Sequence, residues 1–228
     1  HKKKSIFFNL RLKKILLVGG ANHKFEMKKS IKYDYIIYLN QIHKSIEKNY
    51  NYSNSILCLN GSAVKRFVTS LSSNKININN FFVKTNGDKK ILEKFFYLMN
   101  KEVNCYVLST GYNNLTYGSP DICSLIIMNI ISQDPDFIDI IGVDLFTSIG
   151  RRKGYVSSHQ INDKKNNYIK RVNISFAREH SPFSIFLNMK KIINDRKIKI
   201  DIRLSNIIRD DLQDYSSKLN SIYGNDTN

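Results

Sequence analysis

Apolar runs in this chain end at asparagine. Lys14 to Val18 leads into Gly19-Gly20-Ala21-Asn22, Tyr35 to Leu39 into Asn40, Ser55 to Leu59 into Asn60-Gly61-Ser62, and Phe81 to Thr85 into Asn86-Gly87. An asparagine side chain offers an acceptor and two donors without charge, which suits the hydroxyls, ring nitrogens and phosphate oxygens of a nucleotide-activated sugar. The competing account is that asparagine is abundant here and tolerates turn conformations. A histidine adds a second chemistry. Glu179-His180-Ser181 directly precedes an amphipathic segment and follows, well downstream, the Gly142-Val143-Asp144 that ends another apolar run. A histidine at a helix start in a cleft can take a proton near neutral pH, although a capping or surface histidine has the same appearance. His1, His23, His43 and His159 lack that setting.

Phosphate motifs narrow the choice. Gly19-Gly20-Ala21-Asn22-His23-Lys24 departs from the G-x-G-x-x-G fingerprint, and no G-x-x-x-x-G-K-[ST] loop is present, which argues against NAD enzymes and ATPases. A second phosphate-compatible turn, Thr116-Tyr117-Gly118-Ser119-Pro120-Asp121, leads into an apolar helix. Free amides at such a helix start attract a phosphate or carboxylate, and Asp121 weakens that attraction unless it points away.

The elements that must position these residues alternate in period. Strand-like runs fall at Lys14 to Val18, Tyr35 to Leu39, Ser55 to Leu59, Phe81 to Thr85, Cys105 to Ser109, Ile138 to Ile141 and Ile198 to Leu204, with helical segments at Lys89 to Lys101, Pro120 to Ser132 and Pro182 to Asp195. The pattern predicts an α/β fold: one Rossmann-like, doubly wound, mostly parallel sheet of about seven strands over residues 14–205. Ligands of open α/β sheets bind at the carboxyl ends of the strands, where the asparagines stand. Residues 1–13 read as a basic lead-in and 206–228 as a polar tail that frays beyond a final helix. Gly150 to Lys170 lacks periodicity and carries Arg151, Arg152, Lys153, Lys164 and Lys165, so the region around 147–178 is expected to be a lid over an anionic ligand, or a solvated basic loop.

Composition sets outer bounds. At 228 residues and 42% hydrophobic content the chain fills one large domain. A net charge of +17 draws the surface toward nucleic acid, anionic lipid or acidic glycan without choosing among them. Cys58, Cys105 and Cys123 sit in apolar runs without C-x-x-C spacing and read as buried thiols. No apolar stretch approaches the ~20 residues that span a bilayer, so a cytoplasmic protein is expected. Lys2 to Lys14, with Ile6, Phe7, Phe8, Leu10 and Leu12, can lie on an anionic membrane or be a solvated approach to the first strand. The chain opens on His1 rather than methionine, as an added tag or an excised segment would.

Taken together, these segments resemble the small bacterial CMP-dependent sialyltransferases of the Campylobacter and Haemophilus type. Ile15 to Asn22 looks like that family's first strand and glycine-asparagine turn, Tyr33 to Gln41 is similar to its second strand ending in Asn-Gln, and Ile56 to Asn60 stands in the place of its third. Ile138-Asp139-Ile140-Ile141-Gly142-Val143-Asp144-Leu145-Phe146 is similar to its apolar strand followed by Gly-Ile-Asp-Phe-Tyr, and His180-Ser181 with the following helix matches its catalytic-histidine region. The resemblance implies metal-independent transfer, without a cofactor, from a CMP-activated nonulosonic acid to a glycan or glycolipid acceptor. His180 would be the base. Gly20, Asn22, Asn40, Asn60, Gly118, Ser119, Asp144 and Ser181 would line the donor site, with Tyr155 easing departure of CMP. Phe146 stands where a second tyrosine is expected, and Arg151 or Arg152 would substitute for it.

An arginine usual upstream of the Gly118-Ser119 turn is replaced by Asn113-Asn114. Arginine is a natural carboxylate partner, so Kdo, pseudaminic and legionaminic acid stand beside sialic acid as donors, and inversion or retention stays open. Two other classes compete: a basic nucleic-acid-binding module, which should show aromatic-interleaved basic strips, and an inactive relative at a membrane surface. Oligomeric state is open too.

Overall fold

The computed structural model describes residues 9–22, 31–40, 54–60, 64, 80–84, 93, 97, 104–108, 117, 121–151, 165–178 and 181–224. Within them the strands are β1 (Lys14–Val18), β2 (Tyr35–Leu39), β3 (Ser55–Leu59), β4 (Asn80–Val83), β5 (Asn104–Val107), β6 (Phe137–Ile141) and β7 (Ile198–Ile200). The helices are α1 (Ile122–Ile131), α2 (Lys165–Arg178), α3 (Pro182–Ile193), α4 (Ile202–Arg209) and α5 (Leu212–Tyr223). Six strands of four or five residues and a three-residue edge strand, β7, form one sheet in the order β5-β4-β3-β2-β1-β6-β7. Every described pairing is parallel. This is an α/β architecture consistent with a Rossmann-like fold.

The strands read as continuous apolar runs because a parallel sheet is buried on both faces. Ile15, Leu17, Ile37, Leu39, Ile56, Cys58, Phe82, Ile138 and Ile140 belong to one core with Leu125, Ile126 and Ile130 of α1 and Ile185, Phe186 and Met189 of α3. The alternate positions Leu16, Val18, Tyr38, Leu57, Leu59, Phe81 and Val83 are buried on the other face. Ser55 and Asn80, which open β3 and β4, are buried polar exceptions, and a third lies deeper in the sheet. Asp139, midway along β6, is buried and accepts a 2.6 Å hydrogen bond from the Tyr33 hydroxyl. Among the described residues no helix is long and apolar enough to cross a membrane.

Three expectations change. The last strand stops at Ile200 instead of Leu204, because Asp201 accepts from the Leu204 amide at 2.8 Å and starts α4 as its N-cap. The aperiodic stretch is helical from Lys165: Tyr168, Val172 and Phe176 recur every four residues, and Tyr168 and Val172 are fully packed, so residues 165–178 belong to the body of the fold. Residues 206–223 are likewise no polar tail. Tyr215, Leu219 and Tyr223 form an i, i+4, i+8 stripe on α5 that is buried in the core. Of the expected helix 89–101, only Glu93 and Tyr97 are described; both are helical and exposed.

α1 and α3 begin as capped helices. Asp121 caps α1, and Ser181 caps α3 with Pro182 at its first position, where the missing amide costs nothing. Asp201 does double duty, because its other carboxylate oxygen accepts from the Gly142 amide at 3.0 Å and so joins the ends of β6 and β7. Asp201→Ala is expected to lower stability by about 2 kcal/mol, the sum of a lost cap and a lost charge-assisted bond, read from urea unfolding. Asp201→Asn should recover most of it.

Candidate functional site

The chain order reverses between β1 and β6, which are neighbours in the sheet although four strands intervene in sequence. A crevice outside the carboxyl ends of two such strands is the usual ligand position in open α/β sheets. Here the two ends meet at glycine. A Cβ on Gly19 would lie 2.2 Å from the Gly142 carbonyl oxygen, a distance no side chain can occupy. The Gly19 amide donates to Ile141 O at 2.8 Å and the Ala21 amide to Gly142 O at 2.9 Å, so the chain leaving β1 runs across the end of β6.

After β6 the backbone turns sharply. Leu145 (φ 45) and Phe146 (φ 68) are consecutive non-glycine residues in the left-handed region. Each such residue costs on the order of 1 kcal/mol or more and persists only where its surroundings over-determine it. Here they do. The Asp144 carboxylate accepts from the Phe146 amide at 3.2 Å and from the Ser148 hydroxyl, and the Asp144 carbonyl accepts from the Thr147 amide and hydroxyl at 2.8 and 2.7 Å. From α5, the Tyr215 hydroxyl donates to Leu145 O at 2.7 Å and the Tyr223 hydroxyl to Phe146 O at 2.8 Å. Phe176 of α2 stacks edge-on against both Phe146 and Tyr223, at 5.0 and 5.4 Å between centroids. Burial, reinforced by the Asp144 charge, pushes the Tyr215 phenol well above its ordinary pKa. Burial is also the main cause for Tyr223 and for Tyr168, and the Arg151 charge opposes it at both.

A strap closes over this turn. Ala21 and Arg151 form an antiparallel bridge. The Arg151 guanidinium is buried 3.5 Å from the Asp144 carboxylate, with 8% and 5% of the two side chains exposed. It donates to Gly150 O at 3.1 Å and lies over the rings of Phe146 and Tyr168, at 5.2 and 5.9 Å. Gly150 supplies the left-handed φ of 84 that the strap needs, and the Asn22 side chain packs 3.4 Å from where a Cβ on it would stand.

The described walls enclose a cleft of about 90 Å³, formed by Gly19 to Ala21, Leu39, the start of α1, Gly142 to Phe146, Arg151 and Ile185. That volume suits part of a ligand, since sites for whole small molecules run to several hundred Å³. Among the described residues, two carboxylates, Asp121 and Asp144, and one guanidinium, Arg151, line it. The two carboxylates offer acceptors to the hydroxyl or amino donors of a ligand.

Of the residues expected at the site, Gly20, Asp144 and Arg151 line the cleft, and Asn22 stands exposed at its rim beside Gly150. Asn40 has another task. It is buried with φ 47, donates its amide to Cys58 O at 2.7 Å and accepts from the Asn60 amide on its side chain at 3.0 Å, which ties the end of β2 to the end of β3. Asn60 is half-buried beside it, and neither lines the cleft. Ser181 accepts from the Ser184 amide at 3.3 Å as the cap of α3. Gly118, Ser119, Arg152, Tyr155, Asn86 and His180 lie outside the described residues. The expected anion site at the start of α1 is corrected: the Asp121 carboxylate itself accepts from the Cys123 and Ser124 amides at 3.1 and 3.0 Å, so those donors are taken. Beside Asp121, burial drives the Cys123 thiol well above its usual pKa.

Four positioning residues escaped sequence reasoning. They are Asp201, Tyr215, Tyr223 and Asn188, whose buried amide both donates to Tyr117 O at 3.2 Å and accepts from the Tyr117 amide, seating that segment on α3. The i, i+4, i+8 spacing of Tyr215, Leu219 and Tyr223 was the available signal for two of them. Among the described residues no group of three His, Cys, Asp or Glu is placed to hold a metal ion. No protein-family model matches this chain, and no curated protein or solved structure shows significant similarity to it.

Arg151→Met should cost about 3 kcal/mol, because it leaves the Asp144 carboxylate buried without its cation. Adding Asp144→Asn should restore part of that loss, a coupling that a double-mutant cycle in urea measures. The tyrosines set an alkaline limit. Tyr33, Tyr168, Tyr215 and Tyr223 have folded pKa values above the unfolded value of about 10. Their contribution is complete below pH ~10 and is lost as pH climbs through the folded values. The melting temperature should therefore fall above pH ~10, with part of the tyrosinate absorbance appearing only on unfolding.

Proposed function

We propose that this chain is a glycosyltransferase that moves a nonulosonic acid, sialic acid in the first instance, from a CMP-activated donor to a surface glycan such as lipooligosaccharide or capsule. The observation that carries the reading is the cleft at the β1/β6 reversal point of an all-parallel sheet, floored by glycine backbone and two carboxylates. Doubly wound sheets bind nucleotides at this place, and the remaining lone pairs of the two carboxylates can accept from hydroxyl donors of the ligand. The sequence has no dinucleotide fingerprint or phosphate loop, which disfavours NAD and ATP, and the resemblance of its segments to CMP-dependent sialyltransferases supports a CMP-linked sugar. CMP-activated Kdo, pseudaminic acid and legionaminic acid share the chemistry and are donors of the same class.

In this mechanism the acceptor hydroxyl oxygen bonds to the anomeric carbon as the bond from that carbon to the CMP phosphate oxygen breaks. CMP leaves with the electron pair, and His180 takes the hydroxyl proton. Ser181, next to His180 in sequence, opens α3, whose Ile185 lines the cleft. Gly118, Ser119, Tyr155 and Arg152 complete the donor site in this reading, and no step uses a metal ion. The basic residues Lys2 to Lys14 would hold the enzyme near an anionic inner membrane surface, beside a lipid-linked acceptor.

Incubation with CMP-sialic acid and CMP-Kdo should release CMP from one of them, and CMP should raise the melting temperature. His180→Ala is expected to lower turnover by about 100-fold or more while the CMP-induced rise remains. If neither donor is consumed and CMP leaves melting unchanged, the assignment fails. Binding to nucleic acid that collapses with added salt would then favour a basic nucleic-acid module.

A further inference from the structure

A second opening lies between α3 and α5. It holds about 480 Å³ and is bounded by Phe183 on the first turn of α3 and by Leu212, Gln213, Ser216 and Ser217 on the first turns of α5. Its described walls carry one aromatic ring, one aliphatic side chain, an amide and two hydroxyls, and none of these described residues is charged, in a chain where 24% of residues are charged. Phe183 is 38% exposed and Leu212 45%, so both present apolar surface to solvent.

Phe183 is held in place from beneath. Its ring meets the buried Tyr215 ring edge-on at 6.2 Å, and Tyr215 in turn stacks flat on Phe186 at 4.3 Å. The Tyr215 hydroxyl donates to Leu145 O, on the wall of the cleft, and lies 3.5 Å from Pro182 O. Tyr215 therefore touches a lining residue of each opening, Phe183 of one and Leu145 of the other. The helix start between them is the one that His180 precedes.

We infer that this opening is the acceptor subsite and takes an uncharged terminal pyranose of the acceptor glycan, an inference that rests on the transferase reading above. A pyranose has a face of C–H groups and a rim of hydroxyls. A fixed, exposed aromatic ring receives the C–H face by dispersion, while Gln213, Ser216 and Ser217 supply donors and acceptors to the rim. The volume lies within the roughly 300–1,000 Å³ of small-molecule sites and admits a sugar ring with its substituents. Both helix ends are anchored by capping side chains, Ser181 and Asp211, so the subsite is preformed.

The test uses saturation-transfer NMR with methyl β-D-galactopyranoside, methyl β-D-glucopyranoside and N-acetylglucosamine, on the whole chain. At least one glycoside should receive saturation on its ring protons. Phe183→Ala should weaken that binding roughly tenfold, and Ser217→Trp, which fills the opening, should abolish it, with the CMP-induced rise in melting temperature kept in both variants. Transfer to none of the three sugars, or transfer that survives both variants, overturns the inference. Glycoside binding that is lost in the variants, in a protein that consumes no CMP-sugar, upholds the subsite and rejects the donor assignment instead.

Discussion

Two backbones touch where β1 and β6 end, and the rest of the cleft is arranged around that contact. Only a residue without a Cβ can stand at position 19, because the Gly142 carbonyl oxygen occupies the space. The approach lets Ala21 bond to Gly142 O, which carries the chain from β1 across the end of β6 and brings Ala21 to the strap at Arg151. A wider spacing would break both links. The reversal of strand order thus becomes a walled cleft at this contact rather than an open notch.

The neighbouring groups offset costs that the contact creates. Two left-handed residues in a row and a buried charge pair are each unfavourable alone. The Asp144 carboxylate serves both: it accepts from Phe146 and Ser148 within the turn and stands against Arg151 across it. Tyr215 and Tyr223 fix the carbonyls of the two strained residues from another helix. Such concentration of strain and buried polarity in one loop is what a binding site demands of its scaffold, since rigidity before binding removes the entropy that binding would otherwise lose.

Legibility in the sequence followed the strength of local signals. Strands β1, β2 and β3 were readable to the residue, since a parallel strand buried on both faces is an uninterrupted apolar run. The reversal point was readable only as two glycine-bearing strand ends, because pairing between β1 and β6 is a long-range choice that no local pattern states. Asn40 shows the opposite limit: its position was right and its task was not, as a side chain that accepts from a backbone amide looks in sequence like one that awaits a ligand. Tyr168, Val172 and Phe176 were hidden by the lysines and asparagines between them, and Ile202 to Leu204 looked like a strand because the cap at Asp201 acts through hydrogen bonds rather than hydrophobicity.

The tyrosine clamp also has a consequence in time. Tyr215 reaches a carbonyl 70 positions earlier in the chain, and Tyr223 one 77 positions earlier. Closing loops of that length is slow relative to local helix formation. On a ribosome, β6 can pair with β1 while the turn beyond it still lacks both of its outer fixings. The nascent chain then carries a finished sheet beside an unset turn until α5 has emerged, so docking of that helix converts a folded scaffold into one whose cleft has its final shape.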